Sequence, residues 1–515
     1  MYLTQGLHRA VQQNPNGVAT VYRDRQRTFA EVAERVARLA AALRGLGVGG
    51  GDRVAMLSLN SDRYHEYLLA VPWANAVLNP VNVRWSAAEI AYSLRDSGTR
   101  VLLVDDAFAH LVPALRDAHP GLTTVIHAGD GAAPDGTLSY EELVAGSEPA
   151  EDVRRGGNEI AGLFYTGGTT GHGKGVMLSH DNLMVSALGV ASSGHLFAPG
   201  MRYLHAAPMF HLADFVGWNA ATTSGSTQVF VPAFDPAAVL SAIAAHGVTD
   251  VLLIPVMIQL LLDSPELDRH DVSSLRTIAY GGSPITQPVL ERAMKAFPNA
   301  SFTQAYGMTE LGPVATLLGP DDHHRADLLP SAGRAAPHAE VRIVDAEDRE
   351  VPRGTVGEIV VKGGHVMLGY WNQPEQSAEA LRGGWMHTGD GGYMDDAGYV
   401  YIVDRMKDMI VTGGENVYSA EVENALAAHP AVAACAVIGV PDAEWGERVH
   451  AVVVLHEGRH VTAEELREHA KTLIAGYKAP RTAEFVDALP LSGAGKILKR
   501  ELRRRYWGEA ARQVH

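Results

Sequence analysis

The sequence predicts an α/β chain of several packed units: a large N-terminal domain of short buried strands alternating with helices, a small β-rich subdomain, and a small C-terminal α+β domain. Three observations predict it. Its 515 residues exceed what one hydrophobic core serves, since domains average roughly 150 residues. Apolar residues make up 46% and charged residues 20%, a balance too apolar for a disordered chain. Finally, apolar runs of strand length recur between helix-period segments, the alternation of a parallel sheet with helical crossovers.

The elements follow in order. Residues 28–46 (TFAEVAERVARLAAALRGL) place apolar side chains at helical spacing, open on Thr with Glu three positions later, and stop at Gly47, which predicts a capped helix. Residues 52–59, 100–104, 249–254, 277–280 and 301–306 read as short buried strands. From 340 the pattern changes to short alternating strands, EVRIVD and GEIVVKG, joined by Gly/Pro turns. The 108 residues after position 407 carry helix and strand patterns of their own, enough for a separate domain. The expected division is an N-terminal domain at 1–403, with its β-rich subdomain at about 330–403, a boundary at 404–407, and a C-terminal domain at 408–515. There is no fixed-period repeat.

Lys and Arg number 43 against 59 Asp and Glu, a net charge of −16. That disfavours nucleic acid and anionic lipid as partners, so any anion site must be local. Cys435 is the single cysteine, which excludes an intrachain disulfide or a thiolate metal cluster. The first residues carry no secretory or transit pattern. The longest apolar run, 251–262, is broken by Pro255 and Gln259 and falls short of the ~20 residues that span a bilayer. The expectation is a cytoplasmic protein without stable membrane insertion. The cationic stretch KRELRRR at 499–505 could face a membrane as a helix, and is read in preference as a solvated end.

Residues 165–175 read YTGGTTGHGKG, after the apolar IAGLFY and before LSHDNLMVSALGV, so strand, loop and helix are expected in succession. Five glycines and three threonines around Lys174 supply open backbone N–H groups, hydroxyls and a cation, which suits a polyphosphate. The plain alternative is a flexible turn. Gly168 to Lys174 also fits the P-loop spacing G-x-x-x-x-G-K, but a P-loop follows its lysine with Ser or Thr on magnesium, and here Gly175 follows.

The loop resembles that of the adenylate-forming superfamily of acyl-CoA synthetases, luciferases and peptide-synthetase adenylation domains, roughly YTSGTTGxPKG. Thr166, Gly168, Thr169, Thr170, Gly171 and Lys174 match, whereas Gly167 replaces a serine and Gly173 a proline, which predicts one lost hydroxyl contact and a more mobile loop. The resemblance runs from about 28 to 500. YGGSP, with Gly281, Gly282, Ser283 and Pro284, is similar to the family's adenine-lining turn, and Gln304, Ala305, Tyr306, Gly307, Met308, Thr309 and Glu310 (QAYGMTE) to its central motif. The resemblance implies that Tyr306 stacks on adenine, Thr309 meets the α-phosphate region and Glu310 holds Mg2+. A hard cation wants carboxylate oxygen, and bridging phosphate offsets the repulsion an attacking carboxylate feels. Asp390 in HTGD would hold the ribose hydroxyls with help from Arg405. Lys496 in LSGAGKILKR resembles the catalytic lysine that stabilises charge developing at the α-phosphate. Lys407 in DRMK resembles the hinge pivot, and Gly413 and Gly414 would line the pantetheine path, although a glycine turn explains them nearly as well.

The resemblance also implies the fold: an N-terminal domain of two β-sheets flanked by helices plus a small β-barrel, under a mobile C-terminal domain. It implies ATP, Mg2+ and coenzyme A acting on a small-molecule carboxylic acid. The oligomeric state stays open, a homodimer among the options. His211 in PMFH lies where acyl-CoA synthetases carry His and amino-acid-activating relatives carry Asp, and it is read as a catalytic gate or pocket wall. Asp214, Phe215, Trp218, Val256, Met257, Met308 and Val314 are expected to line a mostly apolar acyl pocket. The expected reaction is AMP-forming ligation of a medium- or long-chain fatty acid to coenzyme A, with an aryl acid of benzoate or cinnamate type as the alternative and carrier-protein loading as a further one.

Overall fold

The computed structural model describes residues 1–166, 173–283, 285–405, 408–412, 415–442, 445–491 and 497–507. The first long helix, Phe29–Gly45, starts where its capping signal stands: the Thr28 hydroxyl accepts the Glu31 N–H, and Glu31 in turn accepts the Thr28 N–H at 2.7 Å. The same reciprocal cap opens Ala87–Asp96, His180–Ala191 and Ala463–Lys471. Strands form at Arg53–Leu57, Val101–Val104, Asp250–Leu253, Thr277–Gly281 and Ser301–Tyr306, inside or within one residue of the apolar runs that predict them.

Two compact units divide the chain. The first comprises Met1–Val341 and Val361–Met386. One of its sheets has nine strands among the described residues, in the order Arg334–Ala335, Thr316–Leu318, Ser301–Tyr306, Thr277–Gly281, Asp250–Leu253, Arg202–His205, Thr227–Phe230, Val18–Tyr22, Arg25–Thr28. From Ser301–Tyr306 through Val18–Tyr22 the pairing is parallel. Successive side chains on a strand face opposite ways, and the two faces differ. Val251, Leu253, Ile278 and Tyr280 pack into a cluster of large aliphatics with Leu240, Ile243, Leu261 and Leu290, whereas Leu252 and Ala279 join an alanine-rich layer with Ala187, Ala207, Ala220, Ala221 and Ala336. Burial on both faces is why these strands read as continuous apolar runs.

The other sheet of this unit has, among the described residues, eight strands in the order Gly369–Tyr370, Lys174–Ser179, Ile160–Thr166, Val77–Pro80, Arg53–Leu57, Val101–Val104, Thr124–His127, Leu138–Ser139. It corrects one expectation. Lys174–Ser179 returns antiparallel along Ile160–Thr166, with Thr166 opposite Lys174, so the glycine loop joins two strands and the helix His180–Ala191 begins only after the second. KGVMLS buries Gly175, Val176, Leu178 and Ser179 and leaves Lys174 and Met177 half-buried, so the strand lies covered over most of its length.

The second unit comprises Arg342–Val360 and His387–His515. Its residues form most of a four-stranded sheet, Glu340–Val344, Gly357–Lys362, Met386–Met394 and Val400–Arg405 in that order, the half-barrel-like sheet of the expected β-rich subdomain. A second sheet pairs Val432–Asp442 along Gly446–Leu455. The expected solvated end at 499–505 is also corrected, because Lys499–Trp507 is an amphipathic helix docked on that sheet. Leu502, 1% exposed, packs with Ala436, Ile438, Val440 and Val452. Lys499 pairs with Glu423 and Arg503 with Asp408, each at 2.7 Å. Among the described residues no helix is long and apolar enough to cross a membrane.

Candidate active site

Parallel register brings the motifs of the nine-stranded sheet to one edge. Leu253 lies opposite Tyr280, and Tyr280 opposite Gln304, so adjacent strands end level, and the chain beyond each carboxyl end carries Gly281–Ser283 or Tyr306–Glu310. Pro208–His211 likewise follows the strand that ends at His205. Carboxyl ends of parallel strands are where open α/β sheets hold ligands. Close backbone approach explains the glycines. A Cβ on Gly281 would lie 2.2 Å from the Ala305 carbonyl oxygen, one on Gly307 2.0 Å from that of Pro313, and Gly282 has φ +80°. The Tyr280 hydroxyl donates to Gln304 Oε1 at 3.3 Å and sits 2.9 Å from His323 Nε2, and burial raises its pKa. Tyr306 is half-buried, and its carbonyl accepts the Ala315 N–H at 2.8 Å.

After Tyr306 the chain turns into one 3-10 turn, Thr309–Leu311. Glu310 is 6% exposed, and its Oε1 accepts the Tyr370 hydroxyl at 2.9 Å. Its carbonyl accepts the Met367 N–H at 2.9 Å. The same tyrosine carries Lys174 on its face, with Nζ 4.6 Å from the ring centroid. Thus Glu310 of the central motif and Lys174 of the glycine loop meet at a residue that the sequence reading missed. Gly175 also acquires a reason: a Cβ there would press the Tyr165 ring at 3.0 Å and Trp371 at 3.3 Å. Tyr165 donates to Asp96 Oδ2 at 2.6 Å, and burial followed by Asp96 pushes its pKa far up.

Behind Glu310–Val314 lies a pair of imidazoles. His338 Nε2–H donates to the Val314 carbonyl at 2.9 Å, and the His365 ring stands perpendicular to it at 4.5 Å. Gly189 leaves room for His338, since a Cβ there would lie 2.2 Å from Nδ1. Burial, then the neighbouring His338, lowers the His365 pKa to about 3.

In the second unit Asp390 is buried on Met386–Met394, and its Cα partner across the ladder is Arg405. Glu358, another residue missed in the sequence, fixes this HTGD segment. Its Oε2 lies 2.9 Å from His387 Nδ1 and its Oε1 accepts the Gly389 N–H at 3.0 Å, while Thr388 donates to the Ile359 carbonyl at 2.7 Å. In the sequence GEIVVKG carries only the pattern of a strand.

Residues 7–371 match the AMP-binding enzyme family, and residues 421–496 match the AMP-binding enzyme C-terminal domain. The chain belongs to the AMP-binding enzyme family. It is 42% identical over 500 residues to a feruloyl-CoA synthase of an Amycolatopsis species, covering 97% of this chain and 98% of that one. A fatty acid–[acyl-carrier-protein] ligase, ScoC, of Streptomyces coeruleorubidus is 37% identical, with 98% and 96% covered. The crystal structure of ATP-bound MatB from Rhodopseudomonas palustris superposes with a TM-score of 0.88 at 32% identity, with 98% and 99% covered. This AMP-binding enzyme is therefore an AMP-forming acid–thiol ligase that uses ATP.

The residues expected at the acyl pocket of the AMP-binding enzyme separate into several settings. His211 is the N-cap of Leu212–Ser224, its ring 4.3 Å from that of Phe210. Asp214 is fully buried, with Oδ2 2.6 Å from His205 Nδ1 and Oδ1 accepting from Tyr203 at 3.4 Å. Phe215 stacks edge-on against Phe164 and tilted against Trp218, whose Nε1 donates to His65 at 2.9 Å. Val314 belongs to the alanine-rich layer, Met257 to the opposite cluster, Met308 is half-buried, and Val256 is exposed on Pro255–Leu262.

Thr166, Gly281, Gly282, Ser283, Gln304, Ala305, Tyr306, Gly307 and Thr309 are all placed in the first unit. Gly167, Gly168, Thr169, Thr170, Gly171, Pro284, Lys407, Gly413, Gly414, Lys496 and the Arg405 side chain lie outside the described residues. Among the described residues no group of three or more His, Cys, Asp and Glu could hold a metal ion. The buried Glu310 carboxylate is a hard oxygen donor of the kind Mg2+ takes, and nucleotide phosphate and water would complete the shell, the usual way Mg2+ is bound.

Proposed function

We propose that this enzyme joins an aryl-propenoid acid of the ferulate type to coenzyme A through an acyl adenylate. The supporting observation is the 42% identity, over nearly the whole of both chains, with a protein named feruloyl-CoA synthase. A medium- or long-chain fatty acid is the second reading, favoured by the 37% identical relative named as a fatty acid–[acyl-carrier-protein] ligase.

In the first step a carboxylate oxygen bonds to the α-phosphorus as the bond from that phosphorus to the bridging oxygen breaks, and pyrophosphate leaves. Lys174 and the glycine loop hold the phosphates, and Tyr306 with Gly281–Ser283 holds the adenine. Asp390 and Arg405 take the ribose. Thr309 meets the α-phosphate, and Mg2+, when bound at Glu310, would supply countercharge to the phosphates. Lys496 stabilises the charge that builds on the α-phosphate oxygens. In the second step the thiol loses its proton, sulfur bonds to the acyl carbon and AMP departs. The 408–515 domain turns about Lys407 to present Gly413 and Gly414 to pantetheine, and His211 walls the acyl site.

A panel of acids assayed for AMP release with coenzyme A tests the reading. Turnover of ferulate and its relatives well above octanoate and palmitate is the expected result. The reverse order overturns the aryl assignment, and transfer only to a pantetheinylated carrier protein overturns coenzyme A as the thiol.

A further inference from the structure

We propose that Tyr370 is a positioning residue for the first half-reaction, holding the Glu310 carboxylate at its hydroxyl and the Lys174 ammonium on its ring face. The metal ion and the phosphates then meet two groups already placed. The inference rests on the roles given above to Glu310 and Lys174.

Three observations carry it. Tyr370 is 7% exposed, and its hydroxyl donates to Glu310 Oε1 at 2.9 Å. Lys174 Nζ stands 4.6 Å from the centroid of the same ring. The segment bearing Tyr370 is tied to both arms by main chain: the Met367 N–H donates to the Glu310 carbonyl at 2.9 Å, and the Trp371 N–H to the Gly175 carbonyl at 2.7 Å. Tyr370 also lies opposite Val176 in the ladder, and its N–H is taken by Ser377 Oγ at 2.8 Å. The strand Gly369–Tyr370 thus closes the edge of one sheet while its tyrosine reaches the 3-10 turn that leaves the other.

A tyrosine suits this place because it recognises opposite charges by different parts of one rigid group. The hydroxyl dipole orients a carboxylate, and the ring quadrupole attracts an ammonium. A lysine and a glutamate without such a spacer tend to neutralise each other, and each would have to be pulled apart when metal and phosphate arrive. A preset arrangement spares that reorganisation.

Tyr370→Phe keeps the ring and all main-chain pairing but removes the hydroxyl, whereas Tyr370→Leu removes both contacts. Mn2+ is titrated into the protein complex with α,β-methylene-ATP and free Mn2+ is read by electron paramagnetic resonance, alongside acid-dependent pyrophosphate exchange over a range of Mg2+ and ATP. Tyr370→Phe is expected to weaken Mn2+ binding and raise half-saturating Mg2+ by roughly 10-fold, the scale of a hydrogen bond to a charged group, with the ATP KM little changed. Tyr370→Leu raises both. In Glu310→Gln, adding Tyr370→Phe should cost nothing further. Wild-type Mn2+ affinity in Tyr370→Phe while Glu310→Gln weakens it, or full additivity of the two, overturns the positioning role and leaves the metal role of Glu310 intact. Unchanged Mn2+ affinity in Glu310→Gln overturns the metal reading itself. Thermal unfolding of each variant separates these outcomes from a damaged fold, and Tyr370→Leu provides a second measurement should Tyr370→Phe fail to fold.

Discussion

Substituting Gly281 by alanine tests whether the level ends of the parallel strands are what aligns the segments proposed to bind the nucleotide. A Cβ at 281 would lie 2.2 Å from the Ala305 carbonyl oxygen. An ordinary carbon–oxygen contact is about 3.3 Å, so the strands Thr277–Gly281 and Ser301–Tyr306 must separate by about 1 Å at that point. The strained atom is backbone, with no flexible side chain to yield. Overpacking of this kind costs about 1–3 kcal/mol, which a core of this size survives. The displacement, however, falls on Ala305, next to Tyr306 and four residues before Thr309, and a misplacement of about 1 Å can cost ~100-fold in rate. The expected result is a modest drop in melting temperature with a loss of acid-dependent pyrophosphate exchange approaching ~100-fold. Gly45→Ala serves as the control, since a Cβ there meets nothing within 4 Å, and it should leave exchange intact. Wild-type exchange in folded Gly281→Ala would refute the argument that strand register sets the site.

Three further outcomes are expected. Lys496→Ala should suppress formation of acyl-AMP while transfer from supplied acyl adenylate largely survives, as single-turnover assays of each half-reaction can establish; unchanged pyrophosphate release would remove Lys496 from the mechanism. Leu502→Ala should destabilise the second unit by about 2–5 kcal/mol through the cavity it leaves, read as faster hydrogen exchange in Val432–Asp442 and Gly446–Leu455. Burial lowers the pKa of His65 and His365 to about 3 and of His180 to about 4. Their folded values lie below the unfolded value near 6.5, so below that pH the unfolded chain binds protons that the folded chain refuses. Stability is full above about pH 6.5 and falls as pH drops towards 4, at up to ~1.4 kcal/mol per pH unit for each histidine. Urea midpoints measured from pH 7.5 to 5 should fall accordingly, and less steeply in His365→Leu.

What the sequence discloses about this fold is what period and composition encode locally. Asp250–Leu253 and Thr277–Gly281 are legible because both faces are buried and the runs are unbroken. Phe29–Gly45 is legible because Thr28 and Glu31 cap each other. The strand Lys174–Ser179 is concealed, because it is only six residues long, its burial does not alternate, and it runs straight into a helix. The docking of Lys499–Trp507 is concealed for another reason: one buried leucine among six charges gives a weak apolar stripe, and its ion pairs to Glu423 and Asp408 lie far away in sequence. Tyr370 and Glu358 escape notice similarly. Tyr370 reaches Glu310 across 60 residues and Glu358 reaches His387 across 29, so neither contact leaves a local pattern.

The order of the site motifs along the chain is a consequence of topology. Asp250–Leu253, Thr277–Gly281 and Ser301–Tyr306 are neighbours in the sheet in the same order as in the sequence. Each parallel strand must be followed by a crossover before the next begins, so each loop emerges at the same carboxyl edge. The glycines then differ in what they do, and that difference is invisible in the motifs. Two substitutions by glycine in the 165–175 loop suggest loosening when read as sequence. Yet a Cβ on Gly173 would lie 2.7 Å from the Thr166 carbonyl oxygen, at the point where the hairpin pairs Thr166 with Lys174. The absence of a side chain there permits a close approach of backbone to backbone beside the lysine. A glycine at that position thus admits the backbone approach that sets Lys174 opposite Thr166 at the base of the hairpin, a placement any larger residue would disturb.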